Sequence, residues 1–393
     1  MTETLGIYIQ VPFCASKCSF CNFSSRVGRP GEFDAYCDAL AAEIDRLPHF
    51  YGQAGIKTRA LLLPVDSIYI GGGTPSLFGA ERLKRILDAL GRCFDLSGSL
   101  EFTLEVSPGS AAGDFLRDVR ALGANRLSIG AQSFNDLELR TVGRLHTAGE
   151  TRELVLQARR AAFQNINLDL VAGLPHQTEA TWRESLSTAL DLRPQHLSVY
   201  LFEIDEKSRL GREVLNGGTR YGAATVPDEE FMGAAYEFAR DLLARAGYVQ
   251  YEISNFALPG CCSRHNRKYW RLEPYLGFGA GAHSFDGNQR WANEEIVEAY
   301  EAKLSRRESP IAEVRKLSPK EQLEEFFFLG LRQNDGIDLS LARDRWGRDQ
   351  TAKPEARVAA LVQDGWVERV ADRVRLAERA FLVSNEIFEH FLT

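Results

Sequence analysis

No stretch of this 393-residue sequence approaches the roughly 18 consecutive apolar residues of a spanning helix, and the start has no basic segment leading into an apolar one. Neither an integral membrane protein nor a secretory precursor is expected. Cysteine is scarce: seven in all, an odd number, with three of them between Cys14 and Cys21. That placement excludes the paired framework of a small secreted domain and points to a reducing, cytoplasmic setting. A basic excess is also missing, since 47 Lys and Arg face 54 Asp and Glu for a formal charge of −7. No global field draws in a phosphate backbone, so nucleic acid is not an expected partner. Internal repeats and low-complexity tracts are absent too. What is left is an ordinary globular composition, 44% hydrophobic and 26% charged, long enough for two or three domains or one large α/β unit with an appendage.

Within that composition, short apolar or β-branched runs at 5–11, 66–70, 100–105, 126–129, 166–171 and 196–201 alternate with amphipathic stretches at 32–47, 80–93, 113–122, 136–141, 151–162 and 179–190. Six βα units of this kind build an α/β fold, an open barrel or a doubly wound sheet, whose chemistry gathers at the C-terminal ends of the strands. The polar and glycine-rich segments follow strands, which implies one shared cleft. After a short run at 249–253, residues 255–285 are too rich in Cys, His, Gly and aromatics for a core element and read as a loop platform. From 318 onward the pattern changes to helices at 320–331, 339–346 and 355–364, a hairpin at 366–376 and a last helix, a small winged-helix-like domain. Its charges are mixed, Glu321, Glu324 and Glu325 against Arg343, Arg345 and Arg348, which does not favour nucleic acid. The expected division is a core over 1–225, an extension over 226–310 and the C-terminal domain over 311–393.

Cys14-Ala15-Ser16-Lys17-Cys18-Ser19-Phe20-Cys21 puts three thiolates on one short loop. Such a loop can grip three irons of a cubane cluster and leave the fourth open to an outside ligand. The alternative is a zinc knuckle, which wants four closed ligands, and here only Cys37 lies nearby while no His precedes His49. Cys37 and Cys93 fall on helical patterns and read as small buried hydrophobes. Ile70-Gly71-Gly72-Gly73-Thr74-Pro75 follows a strand, so its backbone can approach a ligand closely and offer N–H groups. It lacks the Lys-Ser/Thr of a P-loop and the spacing of a dinucleotide fingerprint.

Tyr8-Ile9-Gln10-Val11-Pro12-Phe13-Cys14 running into the cysteine loop, followed by Gly71-Gly72-Gly73-Thr74-Pro75, resembles the radical S-adenosylmethionine (SAM) superfamily. Leu127-Ser128-Ile129-Gly130-Ala131-Gln132-Ser133-Phe134, Asp169-Leu170-Val171-Ala172-Gly173-Leu174-Pro175 and His265-Asn266-Arg267-Lys268-Tyr269-Trp270 narrow the likeness. They are similar to the branch shared by oxygen-independent coproporphyrinogen III oxidases and heme chaperones. The resemblance implies an open, partial (β/α)6 TIM barrel of the radical SAM type with an elaborated C-terminal part. It also implies a [4Fe-4S] cluster on Cys14, Cys18 and Cys21, with SAM chelating the free iron. Tyr8, the backbone at Phe20, Gly72, Gly73 and Thr74 would contact SAM near its methionine end, and Glu105, Gln132, Arg144 and Asp169 its other polar groups. A carboxylate suits ribose hydroxyls or the amino group, and a guanidinium suits the methionine carboxylate. The family usually has His two residues after the strand tyrosine, where this chain has Gln10, an amide that cannot carry a proton charge.

Within the branch, three features lean toward the chaperones. The oxidases carry a further cysteine two positions after the cluster triplet, where Phe23 stands here; they carry a longer segment ahead of the cluster; and the 265–270 motif followed by residues 277–285 is similar to the chaperone pattern. The implied function is to bind heme and transfer it to acceptor proteins, membrane respiratory enzymes among them, with a homodimer that depends on cluster occupancy. The alternative is an oxidase acting on coproporphyrinogen III, and no catalytic residue is assigned. His265 is a candidate axial ligand, with Asn266 beside it, Tyr269 and Trp270 offering flat faces and Arg264, Arg267 or Lys268 pairing with propionates. His283 is a rival ligand, and simple packing of the loop by His265 and Tyr269, four residues apart, is the other reading.

Overall fold

The structure, a computed structural model, describes residues 3–29, 31–111 and 113–392. Six parallel strands, β1 (Leu5–Val11), β2 (Val65–Gly72), β3 (Glu101–Val106), β4 (Arg126–Gln132), β5 (Asn165–Ala172) and β6 (His196–Leu201), lie side by side in chain order. The helices α1 (Glu32–Asp45), α2 (Ala80–Cys93), α3 (Gly113–Ala121), α4 (Ala148–Arg160) and α5 (Glu179–Asp191) connect them. All six expected strands are present. The helix expected over 32–47 stops at Asp45, because Pro48 opens a new short helix, Leu47–Gln53, in which its missing N–H costs nothing.

Each strand alternates, and the alternation decides what the sheet's two faces do. One face is apolar and fully buried against the helices: Ile7 and Ile9, Ile68 and Ile70, Phe102 and Leu104, Leu127 and Ile129, Leu168 and Leu170. The other face is polar. Register sets Tyr8 opposite Tyr69, Tyr69 opposite Thr103 and Thr103 opposite Arg126. One level nearer the C-terminal ends, Glu105 stands opposite Ser128, Ser128 opposite Asn167, and Asn167 opposite His196. Register partners in a parallel pair share a face, so these rows line the concave interior of the partial barrel.

The segment expected as a loop platform, 255–285, is not one. After α6 (Glu229–Arg245), β7 (Val249–Gln250) and β8 (Asn255–Ala257) extend the sheet antiparallel beyond β6. Helix α7 (Arg264–Arg271) follows, and β9 (Tyr275–Phe278) inserts parallel beside β1, with Gly6 opposite Tyr275 and Ile9 opposite Phe278. β10 (His283–Phe285), β11 (Gln289–Asn293) and β12 (Ile311–Lys316) continue outward, so the sheet reads β12-β11-β10-β9-β1-β2-β3-β4-β5-β6-β8-β7. β9 escapes a pattern search because it is four residues long and carries Gly277, where a Cβ would stand 2.3 Å from the carbonyl oxygen of His283. Past Ser318, whose hydroxyl caps helix Pro319–Gly330 in a capping box with Glu321, come further helices and a three-stranded sheet. No helix among the described residues is long and apolar enough to cross a membrane.

Candidate cluster and SAM site

β1 delivers the chain to the cysteine loop, and the glycine turn after β2 fastens it there. The N–H of Gly73 donates to the Val11 carbonyl at 2.8 Å and that of Thr74 to Phe13 at 2.7 Å. A Cβ on Gly73 would lie 2.5 Å from the Phe13 oxygen, and one on Gly72, whose φ is +112°, 2.6 Å from the Gln10 amide. The glycines are therefore what lets β2 end flush against the cluster loop. Its far side is tied down as well, with Ser19 N–H donating to Val142 and Leu210 N–H to Ser19. All three cysteines are free; Cys14 is buried, which pushes its thiol upward, while Cys18 and Cys21 are half-buried. Among the described residues no three His, Cys, Asp or Glu side chains converge on one ion position. A cubane takes each thiolate on a different iron.

Around this loop the strand ends bring together the residues expected to meet SAM. Tyr8 donates its hydroxyl to Gln10 Oε1 at 2.6 Å, and Gln10 Nε2 donates to the Ser24 carbonyl, so the residue that replaces the family's His braces the cluster loop. Glu105 accepts from the Tyr69 hydroxyl at 2.8 Å and the Gly72 N–H at 3.0 Å. Burial nevertheless pushes its carboxyl up to about 7. Asp169, also raised by burial, accepts from Asn167 Nδ2 at 2.7 Å. Gln132 ends β4 with φ at +65°, a left-handed conformation uncommon for a non-glycine residue. Arg144 reaches in from the loop beyond helix Asp136–Thr141, donating to the Gly130 carbonyl at 2.7 Å, Ser107 Oγ at 3.1 Å and Cys18 Sγ at 3.6 Å.

This donor set fits the cluster and SAM. Three free sulfurs share one loop, Arg144 reaches the Sγ of Cys18, a glycine cradle has no room for side chains, and the Nε of Arg144 is buried without a partner. Replacing Arg144 by Gln is expected to weaken SAM binding about 10- to 100-fold, the worth of a charge-assisted bond, while iron content stays at wild-type level. Calorimetry on the cluster-loaded variant checks this.

The residues expected around heme lie elsewhere, four of them on α7 and His283 on β10. α7 closes the opposite, N-terminal end of the barrel. The Glu101 carboxylate accepts from the N–H groups of Arg264 at 3.0 Å and His265 at 3.1 Å, a negative charge at a helix start. His265 is 1% exposed, its Nδ1 engaged with Ser67 Oγ at 3.1 Å and its Nε2 with the Tyr269 hydroxyl at 2.9 Å. Burial holds it neutral, with a pKa lowered to about 3. Tyr269 packs edge-on against Tyr275, and Lys268, fully buried, pairs with Asp66 at 2.9 Å. Asn266 is half-buried, and its backbone N–H serves the Ser263 cap. Trp270 faces a cleft of about 780 Å³ shared with residues such as Phe326, Leu341 and Val370, and the Arg332 guanidinium lies 4.6 Å from its ring centre. His283 is exposed, next to the turn at Gly281, where a Cβ would lie 3.7 Å from Glu295 and 3.9 Å from Ser24 Oγ of the cluster loop.

Sequence reading missed Tyr69, Thr103, Arg126, Ser128 and Asn167, which line the same interior. The signal was available as a period-two run of polar residues inside otherwise apolar strands.

Comparison with known proteins matches residues 8–189 to the Radical SAM superfamily and residues 317–383 to the HemN C-terminal domain. The chain is 34% identical to a Bacillus subtilis (strain 168) protein named heme chaperone HemW, over 98% of both chains. It is 31% identical to a Lactococcus lactis subsp. lactis (strain IL1403) protein of the same name, over 98% of this chain and 96% of that one. Among solved structures, coproporphyrinogen III oxidase HemN from Escherichia coli superposes with a TM-score of 0.85 at 25% identity, covering 100% of this chain and 91% of the other. Likeness that runs from end to end takes in the barrel, the inserted β9 and the C-terminal elements alike, and it places the chain in the heme chaperone HemW family of the radical SAM superfamily.

Proposed function

We propose that this chain is a cytoplasmic heme-delivery protein. It binds heme, carries a [4Fe-4S] cluster on Cys14, Cys18 and Cys21 with exchangeable SAM, and passes heme to acceptor proteins, membrane respiratory enzymes among them. The observation that carries the reading is the near-complete match to relatives named heme chaperones. Phe23 supports it: where the resemblance expects a further cysteine in an oxidase, this side chain stands 68% exposed on the cluster loop.

A [4Fe-4S] cluster held by Cys14, Cys18 and Cys21 would supply one-electron chemistry toward the sulfonium of SAM. The chain's own residues position. Arg144 pairs with the SAM carboxylate while it holds the Cys18 side of the loop, and Glu105 and Asp169 accept from hydroxyl or ammonium donors once ionised. Gln10 holds Tyr8 and Ser24 in place and moves no proton.

Two imidazoles compete for heme iron. His283 is accessible in this conformation; His265 becomes so only when the Tyr269 hydroxyl releases its Nε2 and α7 lifts from the barrel. Heme titration followed at the Soret band is expected to show binding at micromolar heme, and a flat titration removes the delivery reading. Loss of the bound-heme band in His283→Ala with retention in His265→Phe assigns the surface ligand; the reverse pattern means α7 opens. A second reading, oxidation of coproporphyrinogen III, is favoured by the TM-score of 0.85 to HemN. Anaerobic incubation with coproporphyrinogen III, SAM and a reductant yields no protoporphyrinogen IX under the delivery reading.

A further inference from the structure

Arg126 is the one strongly basic group on the barrel rows described above, and it has no counterion. It is 1% exposed, and its Nε and Nη1 are buried without hydrogen-bond partners. No carboxylate among the described residues lies within ion-pair distance of it. Each carboxylate that lines the interior is already engaged: Glu101 with the start of α7, Glu105 with Tyr69 and Gly72, and Asp169 with Asn167. Directly across the strand pair, the Oγ1 of Thr103 is likewise buried and unpartnered. A guanidinium can only donate, and a hydroxyl beside it has a proton to give, so the two groups together ask for an acceptor, preferably an anionic one. A buried charge left without a partner is among the least tolerated features of a folded interior.

We propose that Arg126 and Thr103 form a carboxylate subsite inside the barrel that receives a propionate of heme. This rests on the heme-delivery reading and gives it a location. A propionate is a narrow two-methylene arm ending in the planar, bidentate acceptor that a guanidinium recognises. Glu105, Asp169 and His196 all feel the positive field of Arg126, yet none of them bonds to it. A carboxylate ligand would give the Nε and Nη1 of Arg126 the acceptors they lack. SAM also carries a carboxylate, but that group has Arg144 at the mouth of the barrel, so the two sources are separable by experiment.

The test compares heme with heme dimethyl ester, in which both propionates are neutral, by Soret titration of the cluster-loaded full chain, with SAM titrated alongside. Wild type is expected to bind heme about 10- to 100-fold more tightly than the ester. Arg126→Gln, which is shorter but keeps a hydrogen-bond donor without the charge, is expected to erase that preference while leaving ester affinity within about twofold. Arg126→Lys, which keeps the charge, is expected to restore part of it. Equal binding of heme and ester by wild type overturns the subsite while heme delivery stands, and so does an equal loss of both in Arg126→Gln, or a loss confined to SAM. Wild type binding neither overturns the delivery reading and the subsite with it. If Arg126→Gln fails to fold, an absent wild-type preference still overturns the subsite, and Arg126→Lys, which keeps the charge, carries the assignment to this position.

Discussion

Replacing any one of Cys14, Cys18 and Cys21 by serine should abolish cluster assembly: after anaerobic reconstitution, iron and sulfide fall from about four of each per chain to background and the visible absorption disappears. The expectation is all-or-none because three sulfurs hold the whole cluster, and a hydroxyl is a poor ligand for iron beside thiolate. Cys14 should be the least forgiving. It sits where the short strand Phe13–Cys14 pairs with Arg26–Val27, is buried, and lies beside the Thr74 anchor, so its replacement has nowhere to relax. Its raised thiol also means that assembly must release a proton there, so uptake weakens as the pH falls. Serine at Cys37 or Cys93, whose thiols hydrogen-bond to the backbone of Arg82 and Ile44, should leave iron content unchanged. Stoichiometric zinc in wild type, or full iron in a triplet variant, would sink the cluster assignment.

Glu105→Gln should strengthen the cluster-free protein and cripple the site. In the folded chain this carboxyl is held near 7, above its ordinary value of 4.5. As the pH rises from about 4.5, the unfolded chain gives up the proton first, so the group removes stability, and the removal is complete above about 7. A gap of that size is worth roughly 3 kcal/mol. The amide should recover most of this at pH 8 and nothing below pH 4.5. It also keeps its partners: its carbonyl accepts from Gly72, and its NH2 can donate to the Tyr69 oxygen once that hydroxyl turns. Glu43, raised to about 7 behind β1, contributes a similar slope that the substitution leaves alone. SAM should bind the variant about 10- to 100-fold more weakly, and wild-type affinity should climb with pH through 7 as Glu105 ionises. Denaturant melts at pH 5 and pH 8, with calorimetric SAM titration, check both halves. Equal stability of variant and wild type at pH 8 would contradict the buried-carboxyl account, and unchanged SAM affinity would take Glu105 out of the site. The strain stored in this carboxyl is the kind a binding site carries at a cost to stability.

How much of this was legible differs from element to element. β1 and β6 were readable to the residue because apolar alternation is strong and each is bounded by turn residues. Helix α4 begins at Ala148, three residues earlier than its apolar spacing indicates, because the Thr147 capping box with Glu150 starts the helix on polar residues. The cluster triplet was legible because its ligands are local. Arg144, by contrast, depends on a fold that carries it from a loop after β4 to Cys18, which no spacing rule announces.

The sequence by itself determined the three-sulfur loop, the glycine turn beside it and the succession of βα units, since each is written in adjacent residues or in a short period. Only the tertiary structure decided that the 265–270 motif plugs the barrel floor, that β9 slides in beside β1, and that Arg126 faces the interior without a counterion. Those outcomes join residues far apart along the chain, Ser67 with His265 and Gly6 with Tyr275. Burial, not residue type, is what turns a histidine offered as a ligand into one whose two nitrogens are already taken.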